Sequence, residues 1–206
     1  DYAYLLLKDG TVHNGLPVPP EDMNAADSKK YDGNRWGRWR KKGDGYEFAW
    51  GERDDFKPVS RASVVTPAQA NQRLQGTWGK SWSVSIGGGG SWSFWGVTLS
   101  PDGRFVKYRR GGHGATNPAA EVSAGAVYDD EGSSSTVSAP NVGGGSTSKS
   151  NKTMADRSGT YTLKGYTMEL RYGNGQVARL PLFLSGNDDR YIWFEGSHLM
   201  RDEGKK

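Results

Sequence analysis

The sequence predicts an all-β protein, an up-and-down barrel or curled antiparallel sheet with an N-terminal β-hairpin extension. Three observations carry this expectation. Thirty Gly and nine Pro punctuate short apolar runs, the pattern of many strands joined by turns. Aromatic residues make up 12% of the chain against an apolar fraction of 34%, so a few large rings must build the core, each burying roughly 150–250 Å². The segment Gly159–Gly173, GTYTLKGYTMELRYG, has a counterpart at Gly37–Gly51, GRWRKKGDGYEFAWG. At an offset of 122, Gly159 pairs with Gly37, Lys164 with Lys42, Gly165 with Gly43, Glu169 with Glu47 and Gly173 with Gly51. Tyr161 then faces Trp39, Leu170 faces Phe48 and Tyr172 faces Trp50. Five identities in fifteen columns exceed the roughly one that average composition gives, which marks an internal repeat.

Tyr2–Leu7 is a first apolar run ending at Lys8-Asp9-Gly10. Asp-Gly between apolar runs signals a hairpin, and a three-residue loop there sets Leu6 opposite Val12 on one buried face. Pro17, Pro19 and Pro20 end regular structure, and 21–34 reads as polar loop. The first repeat copy occupies 37–51, and Phe56–Val59 reads as an edge segment because Pro58 cannot donate to a ladder. Thr66-Pro67 opens a short helix, TPAQANQRL, with Thr as N-cap and Pro at the first helical position. A third Gly-x-aromatic start follows at Gly76-Thr77-Trp78. Trp78–Ile86 and Ser91–Ser100 flank a four-Gly turn, and Pro101-Asp102-Gly103 sets Leu99 opposite Phe105. Asp9-Gly10 and Asp102-Gly103 thus hold the same place in two equivalent units.

Residues 111–158 are rich in Gly, Ser, Ala and Thr and read as a long loop of low complexity. Asp9 precedes Gly37 by 28 residues and Asp102 precedes Gly159 by 57, an excess of 29 that matches Glu121 to Ser150. The tract is therefore expected to be an insertion. In the C-terminal meander Tyr166, Met168, Leu170 and Tyr172 alternate with polar residues at the period of a half-buried strand. Tyr191–Phe194 and His198–Met200 finish the sheet after a turn at Gly186–Asp189. The expected organisation is a hairpin repeat unit over 1–60, a linker with the short helix over 61–73, a barrel over 74–202, and a tail over 203–206.

The net charge of +4 is interspersed, which disfavours nucleic acid as a partner. Zero Cys excludes disulfides, Cys-bound zinc and a thiol nucleophile. No apolar run approaches the roughly 20 residues of a membrane-spanning helix. The chain starts at Asp1 without Met, as expected of a processed form or a trimmed piece whose signal peptide is gone. His13, His113 and His198 lack neighbours at metal-ligand spacing and read as exposed or edge histidines. Acidic pairs at Asp54-Asp55, Asp129-Asp130-Glu131 and Asp188-Asp189 read as turns. No nucleophile elbow, phosphate loop or His-Glu-x-x-His is present, so the expectation is a non-enzymatic protein without a cofactor. Glu47 and Glu169, on strand parity, point away from the aromatic rings and read as a solvated face or a cross-strand pair with a Lys or Arg.

The run 35–42 interleaves basic and aromatic residues, a pattern that can hold phosphates and stack bases. Period two puts Trp39 on one face and Arg38, Arg40 and Lys42 on the other with Trp36. That describes either an ordinary strand with a basic outer face or a patch for an anionic polymer. Trp39, Trp50, Trp78, Trp95 and Trp193 fall at core positions, which leaves Trp36, Trp82 and Trp92 as candidates for an exposed stacking surface. Asn151-Lys152-Thr153 is an N-glycosylation acceptor in a eukaryotic secretory setting.

From Leu74 onward, a helical lead-in, Gly76-Thr77-Trp78, the Pro101-Asp102-Gly103-Arg104-Phe105 hairpin and a meander ending near Arg201 follow in order. This pattern resembles the lipocalin-like β-barrel domains of bacterial secreted and periplasmic proteins of unknown function. The resemblance implies a signature of Gly76, Trp78 and Arg201, with the late Arg covering the first-strand Trp. It also implies an extracytoplasmic location, whether secreted, periplasmic or cell-surface, and a small apolar ligand in the barrel mouth. Large rings at Trp78, Trp95, Tyr161, Tyr166 and Tyr172 would crowd such a cavity. The leading expectation is therefore a structural or interaction subunit that uses the extra N-terminal strands to pair with a neighbour's sheet edge, the partners being other protein chains, itself included. The alternatives are a lipocalin-like carrier of a small apolar ligand, or an anionic-polymer or glycan binder using 35–42.

Overall fold

The computed structural model describes residues 3–117, 119, 121–139, 142–185 and 189–203. Most of the expected turn at Gly186–Asp189 and most of the 203–206 tail lie outside the described residues. The regular structure is dominated by antiparallel β-sheet, and the sheets do not close into a barrel. Two compact units form, one from Asp1–Gln72, Leu163–Glu169 and Arg179–His198, the other from Arg73–Thr162, Leu170–Ala178 and Leu199–Lys206. The break after Gln72 falls inside the expected 61–73 linker. Unlike the expected barrel over 74–202, parts of the C-terminal meander belong to the first unit.

In the first unit β1 (Tyr4–Leu6), β2 (Thr11–Asn14), β3 (Trp36–Lys42), β4 (Gly45–Trp50) and β5 (Lys57–Val59) form one sheet in sequence order. Leu6 pairs with Val12 as the three-residue loop demands, and Trp39 pairs with Phe48. Val12, Phe48 and Ala49 are buried, with the Tyr4 ring edge-on to Phe48 at 5.0 Å. Segment 21–34, expected as loop, contains α1 (Ala25–Tyr31). Asn24 caps it by accepting the Asp27 N–H at 3.2 Å, and Lys29 and Lys30 close its last turn. α1 has no buried residue, so the hydrophobic periodicity that reveals a helix is missing. The helix expected at Thr66 does not form. The Ala68 and Asn71 N–H groups instead donate to the Gly165 and Leu163 carbonyls at 2.8 and 2.9 Å. Asn71 also takes a left-handed φ of 61°. Cross-chain pairing has overridden the local capping signal.

The second unit contains β6 (Gly76–Ile86), β7 (Gly89–Leu99), β8 (Arg104–Asn117), β9 (Val122–Asp129), β10 (Gly132–Ala139) and β11 (Val142–Lys149). The meander continues as β12 (Ser158–Lys164), β13 (Thr167–Tyr172), β14 (Val177–Pro181), β15 (Phe183–Leu184), β16 (Tyr191–Phe194) and β17 (Ser197–Arg201). The sheet runs β11-β10-β9-β8-β7-β6-β17, and the start of β12 also pairs with β8. Most of 111–158, expected as loop, is therefore strand. Its Ser, Gly, Thr and Ala residues alternate without large side chains, so a period-two hydrophobic signal is absent although the backbone ladder is complete. The core sits at one end of this sheet, where Trp78, Val97, Leu99, Phe105, Tyr161, Leu170 and Leu199 are buried. From Ser81 to the end of β6 every residue is exposed. That half of the sheet carries no large apolar face to wrap around a core, which is why it extends instead of curling shut.

The repeat holds in atomic detail and is larger than the fifteen columns that revealed it. β1–β4 correspond to the core ends of β7 and β8 followed by β12 and β13. Gly10 and Gly103 both adopt left-handed φ, 83° and 85°. The Asp before each accepts the N–H of the residue after it, Thr11 at 2.9 Å and Arg104 at 3.1 Å. The Gly10 carbonyl accepts the Trp39 N–H at 2.8 Å, and the Gly103 carbonyl accepts the Tyr161 N–H at 2.7 Å. The Trp39 Nε1–H donates to the Leu7 carbonyl at 2.8 Å, and the Tyr161 hydroxyl lies 3.1 Å from the equivalent Ser100 carbonyl. Register agrees too: Thr11–Arg38 and Val12–Gly37 match Arg104–Thr160 and Phe105–Gly159. The first hairpin maps at an offset of 93 and the second at 122, so the extra 29 residues enter between them, as β9 to β11.

Gly37 and Gly159 occupy one position of this module for one reason. A Cβ on Gly37 would run into the Ala49 carbonyl, and one on Gly159 into the equivalent Arg171 carbonyl. We expect Gly37→Ala and Gly159→Ala each to lower stability by about 1–3 kcal/mol. Gly33→Ala, whose Cβ meets nothing within 4 Å, should stay within about 0.5 kcal/mol of the parent in chemical denaturation. Full stability of Gly159→Ala would contradict the close approach of these strands.

Candidate binding surface

The basic run 35–42 lies on β3, and the β3–β4 register sets Arg40 opposite Glu47. Arg40 and Lys42, two residues apart on one face, grip the two Glu47 carboxylate oxygens at 2.6 and 2.8 Å. Glu47 was expected to face out; it lies on the basic face but is buried beneath these two side chains. The Lys42 hydrogen bond, then that of Arg40, holds its carboxyl below the usual carboxylate range. Arg38 pairs with Asp54 at 2.8 Å, and Arg40 also packs over Phe56 at 4.2 Å. Arg38, Arg40 and Lys42 are thus engaged by acids of the same sheet and its flanking loop. Asp55 pairs likewise with Lys57 at 3.1 Å.

Trp36, expected among the exposed rings, is buried. Its Nε1–H donates to Ser28 Oγ at 3.1 Å, Lys29 lies 4.9 Å from its ring, and the His13 ring lies tilted against it at 4.8 Å. His13, expected to be exposed or at an edge, is fully buried. Its Nδ1 lies 3.0 Å from the Gly15 carbonyl and its Nε2 lies 3.1 Å from Asp32 Oδ2. Ser28 donates to the other Asp32 oxygen at 2.7 Å. The Ser28 hydrogen bond, followed by that of His13, holds the Asp32 carboxyl below its usual range. The hydroxyl addresses the carboxylate and not the imidazole, so this trio lacks the nucleophile–base contact of a hydrolytic relay. It ties α1 to β2 and β3. Sequence reasoning missed it because His13 and Asp32 are nineteen residues apart and α1 was not expected.

The signature residues do meet. Trp78 is fully buried, and the Arg201 guanidinium carbon stands 5.5 Å from its ring centroid. Arg201 pairs across from Trp78 in the β17–β6 ladder and donates to the Gln75 carbonyl at 2.6 Å. A Cβ on Gly76 would press on both the guanidinium and the indole, at 3.0 Å each.

Trp82 and Trp92 are exposed, but Trp82 pairs with Ser93 and Trp92 with Ser83. Alternation therefore puts them on opposite faces of the sheet, and no common stacking platform results. Trp50, expected in the core, is also exposed. The face bearing Trp82 continues through Val84 and Ile86 and across Ala115, Ala124, Ala126 and Val137. These small and aliphatic side chains line a groove of ≈ 600 Å³. Ile86 at 78% and Val137 at 48% exposure show how open it is. The opposite face carries Trp92 and the exposed Val127 among serines and glycines.

Beyond the groove the sheet ends at β11, which among the described residues has a partner on one side only, β10. The strand reads VGGGSTSK, with no Pro and no charge before its final residue. Side-chain ladders tie it to β10, Ser133 to Ser148 at 2.7 Å and Ser135 to Ser146 at 2.9 Å. At the base of the sheet, Asp129 accepts the Glu131 and Gly132 N–H groups at 2.8 and 3.0 Å in the expected acidic turn. The adjoining Asp130 is held by Arg157 at 2.9 Å.

Comparison with protein-family models, curated proteins and solved structures finds no match to this chain.

Two outcomes test this geometry. Because Glu47 and Asp32 are depressed carboxylates, the stability they contribute is present above about pH 4 and is lost as pH falls through their folded values. The gap in urea midpoint between the parent and Glu47→Gln should narrow progressively as pH falls below about 4; a constant gap would contradict the ion pairs at Glu47. Arg201→Ala should cost about 1–2 kcal/mol. Arg201→Lys should recover only part of that, because an ammonium cannot stack as a planar guanidinium does.

Proposed function

We propose that this chain is a non-enzymatic, extracytoplasmic structural subunit that assembles with other protein chains through the sheet β6–β11. One observation carries the reading: half of that sheet has solvent on both faces and ends in an edge strand that, among the described residues, nothing covers. Sheet edges are normally blunted by charge, Pro, bulges or a covering element because they recruit other strands. An eight-residue edge with only a terminal Lys, in one sheet with exposed Trp82, Val84, Ile86, Val127 and Val137, is the composition of a surface that a partner covers. The extracytoplasmic part of the proposal rests on the resemblance carried by Gly76, Trp78 and Arg201. A second reading, a carrier of a small apolar ligand, has one observation in its favour, the open groove over Ala115, Ala124 and Val137. The anionic-polymer reading loses support because Arg38, Arg40 and Lys42 are spent on Asp54 and Glu47.

Light scattering over a wide concentration range, run beside native mass spectrometry, separates the two. The assembly reading expects oligomers that are lost when β9 to β11 are removed by joining Glu121 to Ser150, with the unfolding midpoint of the core unchanged. A strictly monomeric chain with an apolar ligand that this deletion releases would contradict assembly and support the carrier.

A further inference from the structure

We propose that the partner covering β11 is a second copy of this chain, added antiparallel about a two-fold axis that passes through Ser146 and stands perpendicular to the sheet. This deepens the assembly reading above and rests on it. A two-fold that joins two antiparallel edge strands must keep the same face of each on the same side, so residue i faces residue j only when both share a face. Centring on Ser146 satisfies this: Gly145 faces Thr147, Gly144 faces Ser148 and Gly143 faces Lys149 of the second copy, and reciprocally. The strand is divided into a glycine half, Gly143–Gly145, and a half with side chains, Ser146–Lys149. In this register each half lies against the other, and only Ser146 meets itself.

The serine ladder supplies the second argument. Ser135 already bonds Ser146 across β10–β11 at 2.9 Å. At the axis Ser146 meets Ser146 of the second copy, so the row continues through four hydroxyls, each able to donate and accept. Charge supplies the third. Lys149 is the one charged residue of β11. In the antiparallel pair the two copies of Lys149 stand at opposite ends, roughly 20 Å apart at about 3.3 Å per residue. Parallel in-register addition would stack them directly, which is unfavourable. Because the axis is perpendicular to the sheet, the face carrying Ser135, Ala126 and Val137 is the same in both copies. The two grooves then join into one trough whose small-residue floor crosses the dimer seam.

The chain has no Cys, so a single introduced thiol reports the register. Under mild oxidant Ser146→Cys should give a covalent dimer on a non-reducing gel, at least about tenfold faster than the exposed interior-strand control Ser123→Cys. Ser146→Lys should weaken self-association by about tenfold or more, since two like charges then face each other at the axis. Mixing Ser146→Lys with Ser146→Asp should restore association as a heterodimer. Circular dichroism and the unfolding midpoint confirm that each variant is folded, and the Cys variant is conservative enough to stand alone. Crosslinking of Ser146→Cys no faster than the control, or oligomers indifferent to Ser146→Lys, would overturn the two-fold while leaving assembly through another surface intact. A parent that is monomeric at every concentration would overturn the two-fold and limit the wider reading to a different partner chain.

Discussion

The carbonyl of a left-handed glycine at a hairpin tip, accepting the backbone N–H of an aromatic residue on the next strand, fixes both halves of this fold. At Gly10 the donor is Trp39 and at Gly103 it is Tyr161. Positive φ at the tip is what turns that carbonyl toward the third strand, and glycine reaches it without a Cβ penalty. The aromatic side chain then returns to the carbonyl three residues before the glycine, Leu7 or Ser100, through its one polar atom. Two hydrogen bonds from one residue set the register of the third strand. That register brings Gly37 and Gly159 against carbonyls that no larger residue would clear, and sets Arg40 opposite Glu47. A slip by one residue would exchange the faces of every side chain on the strand, which is why Asp-Gly, Gly and aromatic recur together at fixed places.

Where large side chains and turn residues carry the information, the architecture is legible in the sequence. Leu6 opposite Val12, Leu99 opposite Phe105 and the paired repeat copies follow from them, whereas the Trp78–Arg201 contact is implied by the resemblance alone. The misses share a physical cause, the absence of amphipathic contrast. α1 buries nothing, and β9 to β11 are mostly Gly, Ser, Ala and Thr, with too few larger side chains to mark one face as apolar. Their order comes from backbone pairing and from Ser–Ser bonds, neither of which leaves a hydrophobic period. The Thr66 segment erred in the opposite sense, where good capping residues were overruled by partners about a hundred positions away. His13, Asp32 and Ser28 show the same limit at a site, because their meeting depends on a helix that itself left no signal.

The insertion explains why one copy of the module became a platform. The first copy joins its hairpins through α1 and short turns, while the second diverts the chain through β9, β10 and β11 and lengthens β7 and β8 to support them. Little apolar area is buried out there, so the extension adds little to the stability of the fold that carries it. Its cost is an exposed edge and exposed aliphatic residues, features that selection removes from monomers unless a partner uses them. The same low burial makes the extension the part of the unit that opens first, as binding elements often are.

Native-state hydrogen exchange at concentrations where the chain is monomeric tests the division between module and extension most directly. The Trp39 and Tyr161 amides should exchange only through global unfolding, because their acceptors at Gly10 and Gly103 are lost with the module itself. Amides bonded between β9 and β10 should exchange through a separate opening at least about 2 kcal/mol lower in free energy. Equal protection in the two places would contradict the account, because the Gly/Ser strands would then belong to the cooperative core they are held to extend.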